Sequence, residues 1–311
     1  MTTQPLGRLD EGTVAFRDHR TWYRVTHPDR PAARLPVVVL HGGPGIAHNY
    51  TRSMAGLLGA DGRIVVHYDQ LGCGRSSHLP DAPADFWTVS LFVAELRNLV
   101  DQLDVLADGF HLLGQSWGGM LAPEYVLAHP AGVRSLVLCD SPASMPLWVA
   151  GTRQLLTRLP AEVQQTVATH EAAGSTDSAE YQAAVDAFYR RFLCTLDPYP
   201  AELDASFASL AADPTVYQTM IGPSEFHVTG TLAHWSVVDR LPAVAVPTLV
   251  VAGEDDEATP AAWAPFADLI PDARSRVFAG ASHTPHLEVP EQFAQVVGEF
   301  LRAHDRTRRS S

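Results

Sequence analysis

Ser116 is the residue whose surroundings most clearly specify chemistry. It is the centre of Gly114-Gln115-Ser116-Trp117-Gly118, with a glycine two positions to either side. An apolar run, Phe110-His111-Leu112-Leu113, precedes it, and residues 120–129 follow with helical apolar spacing. A strand that turns into a helix within one residue forces the central side chain into a strained backbone conformation. Small neighbours keep that crowded turn free of clashes. The pattern in this context predicts a nucleophile elbow, with the hydroxyl at the carboxyl edge of a sheet beside a helix N-terminus. A serine hydroxyl is a poor nucleophile until a base takes its proton and an acid orients that base. After an elbow the acid and then the histidine are expected on loops following later strands. The apolar run at residues 247–253 leads into Glu254-Asp255-Asp256-Glu257, and the run ending at Phe278 leads into Ala279-Gly280-Ala281-Ser282-His283. His283 is the expected base; His286 lies beyond Pro285, farther from the strand end. Spacing alone leaves Asp255 and Asp256 as alternatives for the acid.

Acyl transfer builds negative charge on the carbonyl oxygen, and backbone N–H groups are its usual partners. The N–H of Trp117, just after the nucleophile, is one expected donor. The other is expected from the loop His41-Gly42-Gly43-Pro44-Gly45, with Gly43 as donor and His41 structural. Cys73, in the glycine loop after the strand at residues 64–68, is expected to border the same edge and to expose its thiol to bulky reagents.

The elements that must position these residues follow from hydrophobic periodicity. Residues 36–40, 64–68, 110–113, 135–139, 247–253 and 275–278 read as strands, mostly with the unbroken apolar runs of strands buried on both faces. Residues 89–106 and 291–303 read as helices, and residues 13–16 and 21–26 as an edge hairpin. This alternation predicts an α/β fold, a mostly parallel sheet with helices on both faces. It stops between residues 142 and 239, a stretch rich in Ala, Leu, Gln and Glu, which reads as an inserted helical lid. The expected division is a core of residues 1–141 and 240–311 and a lid of residues 142–239. The tail, residues 305–311, is expected to fray.

Composition narrows the partners. A net charge of -13 argues against nucleic acid and anionic membrane, both polyanions. All 22 basic residues are arginine, which removes Ser-Lys dyads, Schiff-base chemistry and Walker-type phosphate loops. Cys73, Cys139 and Cys194 lack C-x-x-C spacing, so neither a disulfide framework nor a zinc site is expected, and a cytoplasmic setting is the simplest account. The first ten residues are polar, against a secretory signal, and no apolar run is long enough to span a bilayer. Nothing in the sequence sets an oligomeric state.

His41 to Gly45, Asp69-Gln70-Leu71-Gly72-Cys73-Gly74-Arg75-Ser76, Gly114 to Gly119 and Gly253 to Pro260 together resemble the proline iminopeptidases, which are α/β-hydrolase serine aminopeptidases. The group includes the tricorn-interacting aminopeptidase and amino-acid amide hydrolases. The resemblance implies an α/β-hydrolase fold and a cofactor-free enzyme. Such an enzyme releases an N-terminal residue, proline among the candidates, from short peptides or amino-acid amides. It places the triad aspartate on Asp256, with Pro260 matching, giving Ser116, His283 and Asp256. It also implies that Glu225 and Glu257 bind the substrate's free α-amino group; without it both read as ordinary surface acids. An alternative keeps the triad for an ester, a lactone or a specialised amide of secondary metabolism. A non-catalytic ligand receptor has no need of a matched base and acid.

Overall fold

Val37–Leu40 is a strand with no polar residue, and all four of its side chains are buried. Burial on both sides requires a sheet covered on both faces. The computed structural model, which describes residues 7–305, has that arrangement. Eight strands lie in the order β1 (Leu9–Phe16), β2 (His19–Thr26), β4 (Val65–Asp69), β3 (Val37–Leu40), β5 (Phe110–Gln115), β6 (Val133–Cys139), β7 (Thr248–Gly253) and β8 (Ala273–Phe278). β1 and β2 form an antiparallel hairpin, β2 pairs antiparallel with β4, and every pairing from β4 to β8 is parallel. Alternate side chains serve opposite faces. Val38, Leu112 and Leu136 join a core with the helices Val89–Gln102 and Trp117–Ala128, whereas Val37, Leu113 and Val137 pack with Met54–Gly59 and Pro290–Ala303.

Register decides where the loops meet. Leu40 lies opposite Gly114, Gln115 opposite Cys139, Cys139 opposite Val251, and Gly253 opposite Phe278. The loops after β3, β5, β6, β7 and β8 therefore leave at one edge, the carboxyl edge where open parallel sheets carry their ligands.

Some boundaries differ from expectation. The helix expected over residues 89–106 is Val89–Gln102, started by the Thr88 hydroxyl, which accepts the Leu91 N–H at 3.2 Å. Leu103 leaves helical geometry, and Asp104–Leu106 is a separate 3-10 turn. The helix after the elbow begins earlier than expected, at Trp117. Between β6 and β7 run the helices Met145–Leu156, Ala161–Ala173, Ala179–Phe192, Ala201–Ala212 and Thr215–Met220. Leu155, Val167, Tyr181, Phe188, Phe192 and Phe226 give this stretch an apolar core of its own.

Residues 1–6 and 306–311, with part of the N-terminal and tail expectations, lie outside the described residues. Asp305, expected to fray, is tied down. It accepts hydrogen bonds from Arg63 at 2.8 Å, Arg34 at 3.0 Å and the Leu35 N–H at 3.2 Å, and its Oδ1 lies 3.2 Å from His111 Nε2. The Arg63 side chain is buried, and a buried guanidinium requires a counter-ion. Burial works against the Asp305 charge, but the hydrogen bonds from His111 and Arg63 outweigh it and hold the carboxyl well below its usual range. A depressed carboxyl stabilises the fold above its ordinary pKa of about 4 and loses that effect as pH falls below it. Asp305→Asn should therefore lower the urea midpoint at pH 7, and the gap from the parent should narrow progressively below about pH 4.

Candidate active site

Ser116 has φ 53° and ψ -121°, the left-handed side of conformational space that costs a non-glycine residue energy. Its N–H reaches the Cys139 carbonyl at 2.9 Å, and its carbonyl accepts the Gly119 N–H at 2.8 Å, so sheet and helix both hold the turn. A Cβ on Gly114 would strike the Gly118 carbonyl, and one on Gly118 would strike the Leu40 carbonyl. The two glycines let β5, β3 and the helix Trp117–Ala128 converge on one serine.

The glycine loop after β3 is fastened to the elbow and to the histidine loop by one chain of hydrogen bonds. The Gly42 N–H donates to the Tyr50 hydroxyl at 2.7 Å, and that hydroxyl donates to Gln115 Oε1. Gln115 Nε2 donates to the His283 carbonyl at 2.9 Å. A second set fixes the loop from behind. The Trp117 indole donates to Gln70 Oε1 at 2.7 Å, and Gln70 donates its N–H to His41 Nε2 at 3.0 Å and its amide to the His41 carbonyl at 3.1 Å. Nδ1 of His41 donates to the Gly42 carbonyl at 2.9 Å, and burial lowers this imidazole to about 4, so it is neutral.

Cys73 does not border the site. Its thiol is buried, 3.2 Å from the Gln70 carbonyl and 3.6 Å from His41 Nε2, so obstruction by thiol reagents has no physical route. His41, Asp69 and Cys73 are the one group among the described residues with metal-ligand spacing. Its donors are already engaged: Asp69 accepts from the His48 N–H at 2.9 Å and the Arg75 N–H at 2.9 Å, and burial pushes the Cys73 thiol up. The donor set suits loop closure better than a cation.

Beyond β7, Asp255 and Asp256 part company. The Asp255 side chain is 42% exposed, 3.7 Å from Arg191, while that of Asp256 is 1% exposed. Asp256 Oδ1 lies 2.6 Å from His283 Nδ1 and accepts the Ala258 N–H at 2.8 Å. On the other side of the ring, Glu257 Oε1 lies 3.6 Å from Nε2. The Glu257 N–H bonds to the Phe192 carbonyl at 3.2 Å, so the end of Ala179–Phe192 positions it. Glu225, between β6 and β7, accepts the Tyr217 hydroxyl at 2.8 Å. Trp148 donates to the Glu225 carbonyl at 2.9 Å and sets its ring edge-on to His283, 5.7 Å between centroids.

A cavity of 540 Å³ has Gly43, Ser116, Glu225, Glu257 and His283 on its wall. Asp256 stands behind His283, and Trp117 contributes the first backbone N–H of its helix. Burial raises Glu225 to about 7, although the Tyr217 hydrogen bond opposes it, and burial carries Glu257 well above the carboxylate range. Burial also works against a charged His283, but Asp256 and Glu257, with Glu225 beyond them, overcome it and raise the imidazole to about 9. Tyr50, Gln115, Trp148 and Tyr217 were not singled out from the sequence. Gln115 lies inside the elbow motif and could have been; the others belong to no pattern.

An elbow serine at the carboxyl edge of a mostly parallel sheet, beside a carboxylate-oriented histidine, defines a hydrolase of the α/β class. Residues 36–290 match the alpha/beta hydrolase fold family. A proline iminopeptidase of Heyndrickxia coagulans is 37% identical, over 88% of this chain and 93% of that protein. Among solved structures, the proline iminopeptidase of Mycobacterium smegmatis is 53% identical with TM-score 0.89, covering 95% of this chain and 99% of its own. VinJ is 50% identical with TM-score 0.91 and the same coverage. The chain belongs to the alpha/beta hydrolase fold family and, within it, to the proline iminopeptidase family.

Tyr50→Phe removes the hydroxyl that joins Gly42 to Gln115 and leaves a buried N–H without a partner. It should cost about 1–3 kcal/mol of unfolding free energy in urea titration. A change within error of zero would show that the chain from Gly42 to His283 holds nothing together.

Proposed function

We propose that the chain is a serine aminopeptidase that releases one N-terminal residue from a short peptide or amino-acid amide through an acyl-enzyme. Ser116 Oγ attacks the carbonyl carbon while His283 Nε2 takes its proton. The N–H groups of Gly43 and Trp117 face the resulting oxyanion. His283 then protonates the leaving nitrogen as the C–N bond breaks, and water, activated by the same base, hydrolyses the ester. Asp256 holds Nδ1 and stabilises the imidazolium. Residues 142–239 act as the lid, supplying Glu225 and part of the cavity wall, on a hydrolase core of residues 1–141 and 240–311. Proline is the first residue to test, since the relatives are named for it.

One observation carries this reading. Glu225 and Glu257 share the cavity wall with Ser116, and among the described residues that line it His283 is the single basic side chain. A buried pair of acids without a cation is costly, and a substrate ammonium relieves that cost. The same poverty of cations disfavours a terminal carboxylate inside the cavity, so neutral amides and longer peptides fit better than free dipeptides. The ammonium also has a second effect. By neutralising the glutamates it weakens the field that keeps His283 protonated, and so frees Nε2 to act as base.

Ser116→Ala should abolish turnover with the fold unchanged, since a triad acts as a unit. Asp256→Asn should be severe and Asp255→Asn nearly silent; the reverse result would move the acid by one residue.

The glutamates are tested on free aminoacyl arylamides, N-acetylated arylamides and a neutral ester. Blocked arylamides should fail. Glu225→Gln and Glu257→Gln should each lose roughly ten- to a hundredfold in kcat/KM on free-amine substrates. For the neutral ester, kcat/KM of the parent should climb toward about pH 9, because the base must be deprotonated in the free enzyme. The imidazolium 3.6 Å away opposes burial and favours the ionised form of Glu257, so Glu257→Gln should shift that limb to lower pH. A parent that cleaves blocked and free amides equally well would replace amine recognition with ester or specialised-amide hydrolysis.

A further inference from the structure

The carboxylate behind His283 has a neighbour with no task in the reaction scheme. Asp140 follows the last residue of β6, is fully buried, and has φ 52°. Its Oδ1 accepts the Gly253 N–H at 3.1 Å, which ties the end of β6 to the end of β7. Its Oδ2 is buried without a partner. Asp256 is in the same condition: Oδ1 serves both His283 and Ala258, and Oδ2 is buried and unpartnered.

The two carboxyl groups are neighbours at the end of β7: Asp140 holds the Gly253 N–H, Asp256 follows three residues later, and each presents a buried oxygen that no donor reaches. Two ionised carboxylates do not share such a site; one must carry a proton. The groups facing Asp140 decide which. Asp256 approaches from the loop after β7, Glu288 from the helix Pro285–Glu288, Cys139 from the preceding residue of β6 and Tyr50 from the turn after β3, while His283 lies beyond Asp256. Of these groups only His283 can be a cation, and Asp256 stands between it and Asp140. Asp256, by contrast, has the imidazole at 2.6 Å to sustain its charge. Burial, and then the Asp256 charge, hold the Asp140 carboxyl well above its usual range.

We propose that Asp140 is a positioning residue for the catalytic acid, a neutral carboxyl whose Oδ2–H donates to Oδ2 of Asp256. The bond satisfies the second oxygen of Asp256 and fixes the plane of its carboxylate, so that Oδ1 faces Nδ1 of His283. It also withdraws charge from Asp256 and moderates the field on the imidazole. This rests on the triad reading. If Asp256→Asn is fully active that reading fails, whereas the proposal fails by itself in the experiments on Asp140.

Asn is the discriminating substitution, because its amide can accept from Gly253 and donate to Asp256 as the neutral acid does. Asp140→Asn should keep kcat close to the parent's, and the acid limb of the pH profile for a neutral ester should stay in place, since one neutral group replaces another. The infrared difference between parent and Asp140→Asn should contain the carbonyl band of a protonated carboxylic acid, lost on substitution. Asp140→Ala should lower kcat roughly ten- to a hundredfold with little change in KM, and should move the acid limb upward because Asp256 regains its full charge. A merely structural role would leave the limb of a folded Ala variant unmoved. If the Ala variant does not fold, the Asn variant decides. An acid limb displaced to lower pH in Asp140→Asn, or a lost band belonging to an ionised carboxylate, would mean that Asp140 is charged and would overturn the proposal.

Discussion

The site depends on one unfavourable backbone conformation. Ser116 stays at φ 53° because β5, β3 and the helix Trp117–Ala128 come closer than any side chain at Gly114 or Gly118 would permit. Strain of this kind costs about 1–3 kcal/mol and persists only where the surroundings overdetermine it. Here the sheet supplies one hydrogen bond and the helix another. The register of six parallel strands then determines what else can reach the hydroxyl, since it sets the loops after β3, β7 and β8 at the same edge.

Around that fixed point, charge is arranged against the ordinary preference of buried groups to be neutral. Glu225, Glu257 and Asp256 surround one imidazole, and Asp140 adds a fourth acid behind them. Among the described residues that line the cavity, none is an arginine. The need for a cation is concentrated there. In the free enzyme the imidazole of His283 answers that need, raised to about 9 by its acidic neighbours.

Much of this was legible in the sequence because it resides in local patterns. The elbow, the strand ends bearing Asp256 and His283, and the glycine loop are contiguous stretches whose chemistry is written in adjacent residues. Apolar runs gave the sheet, and periodicity gave the helices except at their ends, where Leu103 continues the apolar spacing but leaves helical geometry. What stayed hidden was pairing across distance. Tyr50 meets Gln115 across 65 positions and Asp140 meets Gly253 across 113, and neither pair belongs to a repeat or a motif. Asp305 looked like a loose tail because no pattern announces Arg63, buried 242 positions earlier. Cys73 misled for the opposite reason: its loop does lie near the site, but the side chain turns inward toward His41.

The three thiols have a consequence beyond their packing. All are buried, and burial pushes each of them up, away from the thiolate that oxidants and electrophiles attack. A cysteine count that suggested a reducing compartment therefore describes residues that behave as small apolar side chains. Peroxide or a shift in glutathione balance finds no reactive sulfur on the way to Ser116. The three cysteines offer oxidants no ready thiolate.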